Sequence, residues 1–220
     1  MARARTHATT LRALAALLAY PDEEQREALP EVAQALDAER RLDARRRSEL
    51  LALVDELARG DLLDTQAHYV ELFDRGRATS LNLFEHVHGD GGQRGPAMLE
   101  LMQRYQRVGL QLRSAELPDH LPVVLEYLSC CEPAEAPRLL GECAHVLRAL
   151  GEALAQRGSR YAAVPAALLA LAGQPALAVA LTPAPLPEDP DRDWEERPAF
   201  EPPASRPPGV SVHRVKQAAQ

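Results

Sequence analysis

The chain has 220 residues, a formal net charge of −7 and only 4% aromatic residues. That length suits one domain with an appendage, and the Leu/Ala/Arg/Glu-rich composition favours helices, because alanine and unbranched side chains lose little freedom in them. An acidic chain lacks the basic face needed to displace counterions, which excludes nonspecific nucleic-acid binding. 

The elements follow one another as helices. Leu11, Leu14, Leu17 and Leu18 form one apolar stripe, stopped at Tyr20-Pro21, since a residue before proline is pushed out of the helical region. Asp22 is placed to cap the next helix, with Glu23 and Glu24 in its first turn and Leu29, Val32 and Leu36 on its apolar face. Pro30 either kinks that helix or starts a second piece. Asp43 to Gly60 is a further helix with a broad leucine stripe and a terminal glycine. Asp61 to Phe73 reads as another. Residues 74–97 hold five glycines and little periodicity, and read as a long irregular stretch of the kind that often carries function. Helices are then expected over about 96–113, from Pro118 to about Ser129, through the stripe Leu139 to Leu154 as one piece ended by Gly158, and from Tyr161 to Ala172. No alternating strand pattern or hairpin turn occurs. The fold class is all-α, a helical domain over residues 1–175.

Residues 176–220 differ. From Thr182 onward lie nine of the eighteen prolines, too many for a helix, with few apolar groups to bury. This stretch reads as a disordered, Pro-rich tail, with Trp194 and Phe200 as isolated anchors.

Cys130, Cys131 and Cys143 are odd in number and lack C-x-x-C spacing, which argues against a disulfide framework or a zinc site and for reduced thiols. No apolar run is long enough to span a membrane. The segment Leu11–Tyr20 is interrupted by Arg12 and lacks the features of a cleavable signal. A cytoplasmic protein with no membrane insertion is expected.

Chemical variety is concentrated in two segments. One runs Tyr69-Val-Glu-Leu-Phe-Asp-Arg-Gly-Arg77 into Ser80-Leu-Asn-Leu-Phe-Glu-His-Val-His-Gly89; the other runs Glu116-Leu-Pro-Asp-His-Leu-Pro-Val-Val-Leu-Glu-Tyr-Leu128. Together they carry Glu71, Asp74, Glu85, Asp119 and Glu126, enough carboxylates for acid–base chemistry. Yet no nucleophile elbow, Walker motif or dinucleotide fingerprint accompanies them, and the only lysine is Lys216. A metal site from His86, His88 and His120 is the sharper alternative. Its spacing is not that of paired imidazoles on one helix face, and loop and capping roles explain the same residues. Asp119 reads as a cap for the helix that follows it. Glu85 is placed to pair with Arg75 or Arg77, and Phe73 and Phe84 read as core.

These two strings, with the opening Leu17-Leu-Ala-Tyr-Pro21, resemble the signatures of the nitrate reductase molybdenum cofactor assembly chaperones, also called the nitrate reductase delta subunit family, over about residues 10–172. The Pro-Asp-His portion is shared with the wider TorD-like redox-enzyme maturation chaperones. The resemblance implies a non-catalytic, all-helical bundle without a cofactor of its own. It implies that the protein binds the catalytic alpha subunit of membrane-bound respiratory nitrate reductase, through its N-terminal segment, and keeps the apoprotein ready for molybdenum cofactor and iron–sulfur cluster insertion. Contact with molybdenum cofactor delivery proteins is a further expectation, and a chaperone of another molybdoenzyme is the nearest alternative. The site expected on this reading is a peptide groove. Tyr69, Phe73 and Tyr127 would line it, Glu71, Asp74, Glu85, Asp119 and Glu126 would meet basic peptide residues, and His86, His88 and His120 would lie nearby.

Overall fold

The computed structural model describes residues 2–88, 94–112 and 116–178, all within one compact unit. The expected tail from Thr182, with Trp194 and Phe200, lies outside the described residues. Within them every regular element is helical, as the composition and stripes require. The chain runs through α1 (Ala2–Leu17), α2 (Glu23–Ala38), α3 (Ala44–Arg59) and α4 (Leu62–Tyr69). It continues through α5 (Leu83–His88), α6 (Arg94–Arg107), α7 (Leu121–Cys130), α8 (Glu135–Glu142), α9 (Ala144–Gln156) and α10 (Ala163–Leu171).

The capping residues act as their chemistry dictates. The Asp22 carboxylate accepts from the backbone N–H of Gln25 at 2.8 Å, and Asp43 accepts from Arg46 N–H at 2.8 Å, each satisfying an otherwise orphaned donor. Gln25 then reaches back, its amide donating to the carbonyls of Ala16 and Ala19 at the end of α1, so one turn closes two helices. Gly158 takes φ of +67° after α9, the left-handed conformation glycine adopts without a Cβ penalty. Gly60 ends α3 with φ of −62° instead, so it terminates that helix in extended backbone.

Packing follows the stripes. Helix α1 lies against α7 and α2, α2 against α3, and α10 against α3 and α9. Leu11, Leu14, Leu18, Leu125 and Leu128 belong to one buried cluster with Leu50, Leu53, Leu147, Leu150 and Leu168. Burying such side chains contributes about 1.5–3 kcal/mol each before entropic costs. Tyr161 is also buried in this cluster, edge-on to Phe73 with ring centroids 5.0 Å apart.

Helix α2 runs through Pro30 as one element, so no second piece starts there. The structure departs from the sequence expectations at three places. The expected helix Asp61–Phe73 is α4 followed by a π turn over Val70–Asp74, closed by the Arg75 N–H on the Val70 carbonyl. The stretch 74–97 is not irregular throughout: a 3₁₀ turn at Arg77–Thr79, helix α5 and the start of α6 lie within it. Helix α5 has six residues, too few to show a period. Last, the stripe Leu139–Leu154 is two helices, because the Cys143 carbonyl accepts from both Val146 and Leu147 N–H and restarts the coil as α9.

Candidate functional site

The two dense segments meet in space. The Leu121 N–H donates to the Leu81 carbonyl at 2.8 Å and the Leu83 N–H donates to the Asp119 carbonyl at 3.0 Å, an antiparallel bridge between Asn82 and His120. Asp119 strengthens it. Its carboxylate is fully buried and accepts from the Phe84 N–H at 2.9 Å. It therefore caps α5 of the first segment, not the helix that follows it, as the sequence suggested; α7 begins after His120 with no side-chain cap. The other oxygen, Oδ1, has no hydrogen-bond partner. Burial raises the Asp119 carboxyl above its ordinary value, against the lowering pull of Phe84 N–H and Arg94.

Behind this clasp stands an aromatic wall. Tyr69 donates from its hydroxyl to the Leu18 carbonyl at 2.7 Å. Its ring meets Phe73 at 4.7 Å and Tyr20 at 5.6 Å between centroids, and burial drives its phenol well above the usual range. On the far side Tyr105 donates to the Pro118 carbonyl at 2.6 Å and packs on Tyr127 at 4.9 Å. This pins α6 to the loop that carries Asp119.

Two cavities share Asp74 of the π turn in their linings. The larger, about 620 Å³, is a groove lined by Tyr20, Tyr69, Leu112, Pro122 and Val123, with Asp74, Glu116, Glu126 and His120 at its edges. Tyr20 is 47% exposed there, an aromatic face presented to solvent in a chain with few aromatics. Burial lowers His120, partly offset by Glu116 and Asp119. Its ring is therefore neutral at neutral pH, and the 3.9 Å approach to Glu116 is an ion pair only in acid. The groove thus joins an apolar floor to three carboxylates. The second cavity, about 430 Å³, is lined by Phe73, Asp74, Arg75, Gly76, Arg77, Ser80, Asn82, Glu85 and Arg94.

The expected site residues therefore divide. Tyr69, Asp74, His120 and Glu126 line the groove, whereas Phe73 and Glu85 line the second cavity. Tyr127 is buried against Tyr105, Asp119 is enclosed in the clasp, and Glu71 is exposed away from both cavities. His86 is held by its Nε2 at 2.9 Å from the Ser80 carbonyl. The His88 side chain lies outside the described residues. Among the described residues no group of three His, Cys, Asp or Glu is arranged to hold a metal. Glu85 pairs with Arg94 at 3.3 Å, a partner the sequence did not suggest. Burial alone would raise its carboxyl, but Ser80, Asn82 and Arg94 together hold it below the usual value. The cysteines are free thiols; Cys130 is exposed and Cys131 and Cys143 are half-buried. Burial pushes both half-buried thiols up, which makes them poor nucleophiles.

Sequence reasoning missed Tyr20 and Glu116 as groove residues, and Arg94 as the partner of Glu85. Tyr20 had a signal: it is one of only nine aromatics and sits in the Leu17–Pro21 string. Arg94 had none, because its pairing depends on where α6 begins.

The family model described as nitrate reductase delta subunit matches residues 18–166, a range that takes in both segments, the clasp and the groove. The chain is 47% identical over 156 residues to the nitrate reductase molybdenum cofactor assembly chaperone NarJ of Escherichia coli K12, covering 71% of this chain and 66% of NarJ, just under two thirds of that relative's length. It is 44% identical over 163 residues to NarW of the same strain, a candidate chaperone of the same description, covering 74% and 68% of the two chains. Both relatives carry the name of assembly chaperones, not of catalytic enzymes. In fold it is similar to a crystal structure of a candidate redox enzyme maturation protein from Archaeoglobus fulgidus, with a TM-score of 0.53 at 21% identity over 73% of this chain and 90% of that one. A family match spanning most of the helical unit, on segments that the fold brings into contact, shows that this chain belongs to the nitrate reductase delta subunit family.

Proposed function

We propose that the protein is a cytoplasmic, system-specific chaperone for a respiratory nitrate reductase. It binds the apo form of the catalytic alpha subunit through that subunit's N-terminal segment. It holds the apoprotein competent for molybdenum cofactor and iron–sulfur cluster insertion. The observation that carries this reading is the groove beside the clasp, an aromatic and aliphatic floor edged by Asp74, Glu116 and Glu126. An amphipathic peptide helix lays its apolar face on such a floor, and basic residues beside that face meet the carboxylates, which sets orientation and on-rate more than raw affinity. A peptide that orders on binding gives up part of the contact energy to do so, which suits a chaperone that must release its client. The relatives' names support nitrate reductase as the client system. Tyr20, Tyr69, Asp74, His120 and Glu126 are the contact residues on this reading, while Asp119 and Tyr127 hold the frame.

The test is calorimetric titration with a synthetic peptide of about 15–30 residues, the length of a groove-filling helix, taken from the start of the catalytic subunit of the same organism. Saturable binding is expected, weakened at least about tenfold by Glu126→Arg or Asp74→Arg with unchanged helix content by circular dichroism. No binding by the folded protein would overturn the groove assignment and point to another client or a wider surface.

A further inference from the structure

The groove is an apolar floor edged by carboxylates, and the chain carries a segment of complementary chemistry beyond the described residues. Charge is divided unevenly along residues 186–220. Residues 186–201 hold seven acids against two arginines, whereas residues 202–220 hold Arg206, Arg214 and Lys216 and no acid. The prolines stop at Pro208, so every residue from Gly209 on keeps the backbone N–H that a segment ordering on binding needs. Val210, Val212 and Val215 stand among the bases. That is the pairing of apolar and basic side chains suited to Tyr20, Tyr69 and Val123 with Asp74 and Glu126 beside them. The acidic stretch does not suit the same place, and Trp194 with it, because Asp193, Glu195 and Glu196 flank that ring and like charges across an interface are costly.

We propose that residues 210–220 of this chain occupy the groove as a built-in competitor of the client peptide. The inference rests on the groove being a peptide site, and not on which client fills it. Length is no obstacle. The 31 residues from 179 to 209 reach up to about 100 Å when fully extended, against a radius of gyration of about 16 Å for a domain the size of the helical unit. A ligand joined by a linker competes at an effective concentration set by that linker, without any gain in its own affinity. The client's apparent affinity then falls by the fraction of molecules whose groove is empty. Weakly matched basic peptides are turned away, and a client that binds more tightly displaces the segment.

The test uses the full chain. Lys216 is the only lysine, so zero-length carbodiimide coupling of amines to carboxylates, read by mass spectrometry, gives side-chain amide links that all report on this segment. In dilute protein, links from Lys216 to Asp74 or Glu126 are expected, and an excess of the synthetic client peptide should suppress them. Two double variants then separate apolar from charged contacts. Val212→Ser with Val215→Ser keeps the charge, and Arg214→Gln with Lys216→Gln keeps the valines. Each should tighten calorimetric binding of the client peptide at least about threefold. Lys216 linking only to carboxylates of residues 186–201, or client affinity unchanged in both variants, would overturn the competitor and leave the peptide groove standing. Links to Asp74 or Glu126 in a protein that binds no client peptide would support the competitor and overturn the client reading instead.

Discussion

Asp119 shows how one side chain can join two segments. Its carboxylate closes the N-terminus of α5 through Phe84, while its backbone carbonyl takes part in the bridge. Asp119→Ala removes the cap and leaves the Phe84 N–H unmet, which should cost about 1–3 kcal/mol in urea unfolding. Asp119→Asn keeps an acceptor oxygen and should cost less. The pH dependence follows from burial. The folded protein holds the Asp119 proton more tightly than the unfolded chain does. The contribution of this residue to stability is therefore greatest below the ordinary carboxylate range and falls as pH rises through the raised value. The advantage of wild type over Asp119→Asn should accordingly grow on acidification. His120 acts in the opposite sense. Its folded value is lowered by burial, so its contribution is present above the ordinary imidazole value and is lost as pH falls through the lowered one. His120→Gln should therefore flatten the loss of stability in mild acid, read by thermal melts across that range.

At the scale of elements, the π turn decides what the first segment presents. Its residues and the one before it supply Tyr69 and Asp74 to the groove and Phe73 and Asp74 to the second cavity; such single-turn π segments are frequent at functional sites. Gly76 is what allows the chain to fold back directly after it. A Cβ there would clash with the Thr79 hydroxyl and lie 3.0 Å from the Leu72 carbonyl. Gly76→Ala should therefore destabilise by about 1–3 kcal/mol, with the loss seen in the denaturation midpoint. Helix α2 makes the complementary point. Pro30 is exposed in mid-helix, where it removes a backbone donor. Pro30→Ala should raise stability by about 1–3 kcal/mol, measured as an increase in melting temperature, without altering peptide binding.

At the scale of the whole molecule, the groove gathers three carboxylates, those of Asp74, Glu116 and Glu126. Peptide association should slow as salt rises toward physiological strength, where the screening length is about 8 Å, with a smaller change in dissociation; stopped-flow mixing at two salt concentrations checks this. The leucine stripes show how much of the architecture the sequence specified. Leu11, Leu14 and Leu17 in α1 and Leu50, Leu53 and Leu57 in α3 are buried where their spacing puts them, because helical periodicity is local and burial must follow it. The cap at Asp22 was legible for the same reason, as was the family resemblance carried by the two dense segments. What the sequence by itself could not determine is which side chains face a ligand. Asp119 and Tyr127 stand in the same dense segment as His120 and Glu126, yet the first pair is enclosed and the second lines the groove. Tertiary structure alone decided that: exposure depends on the neighbours that other elements bring, here Phe84 from α5 and Tyr105 from α6, and no pattern within a single segment encodes the position of another.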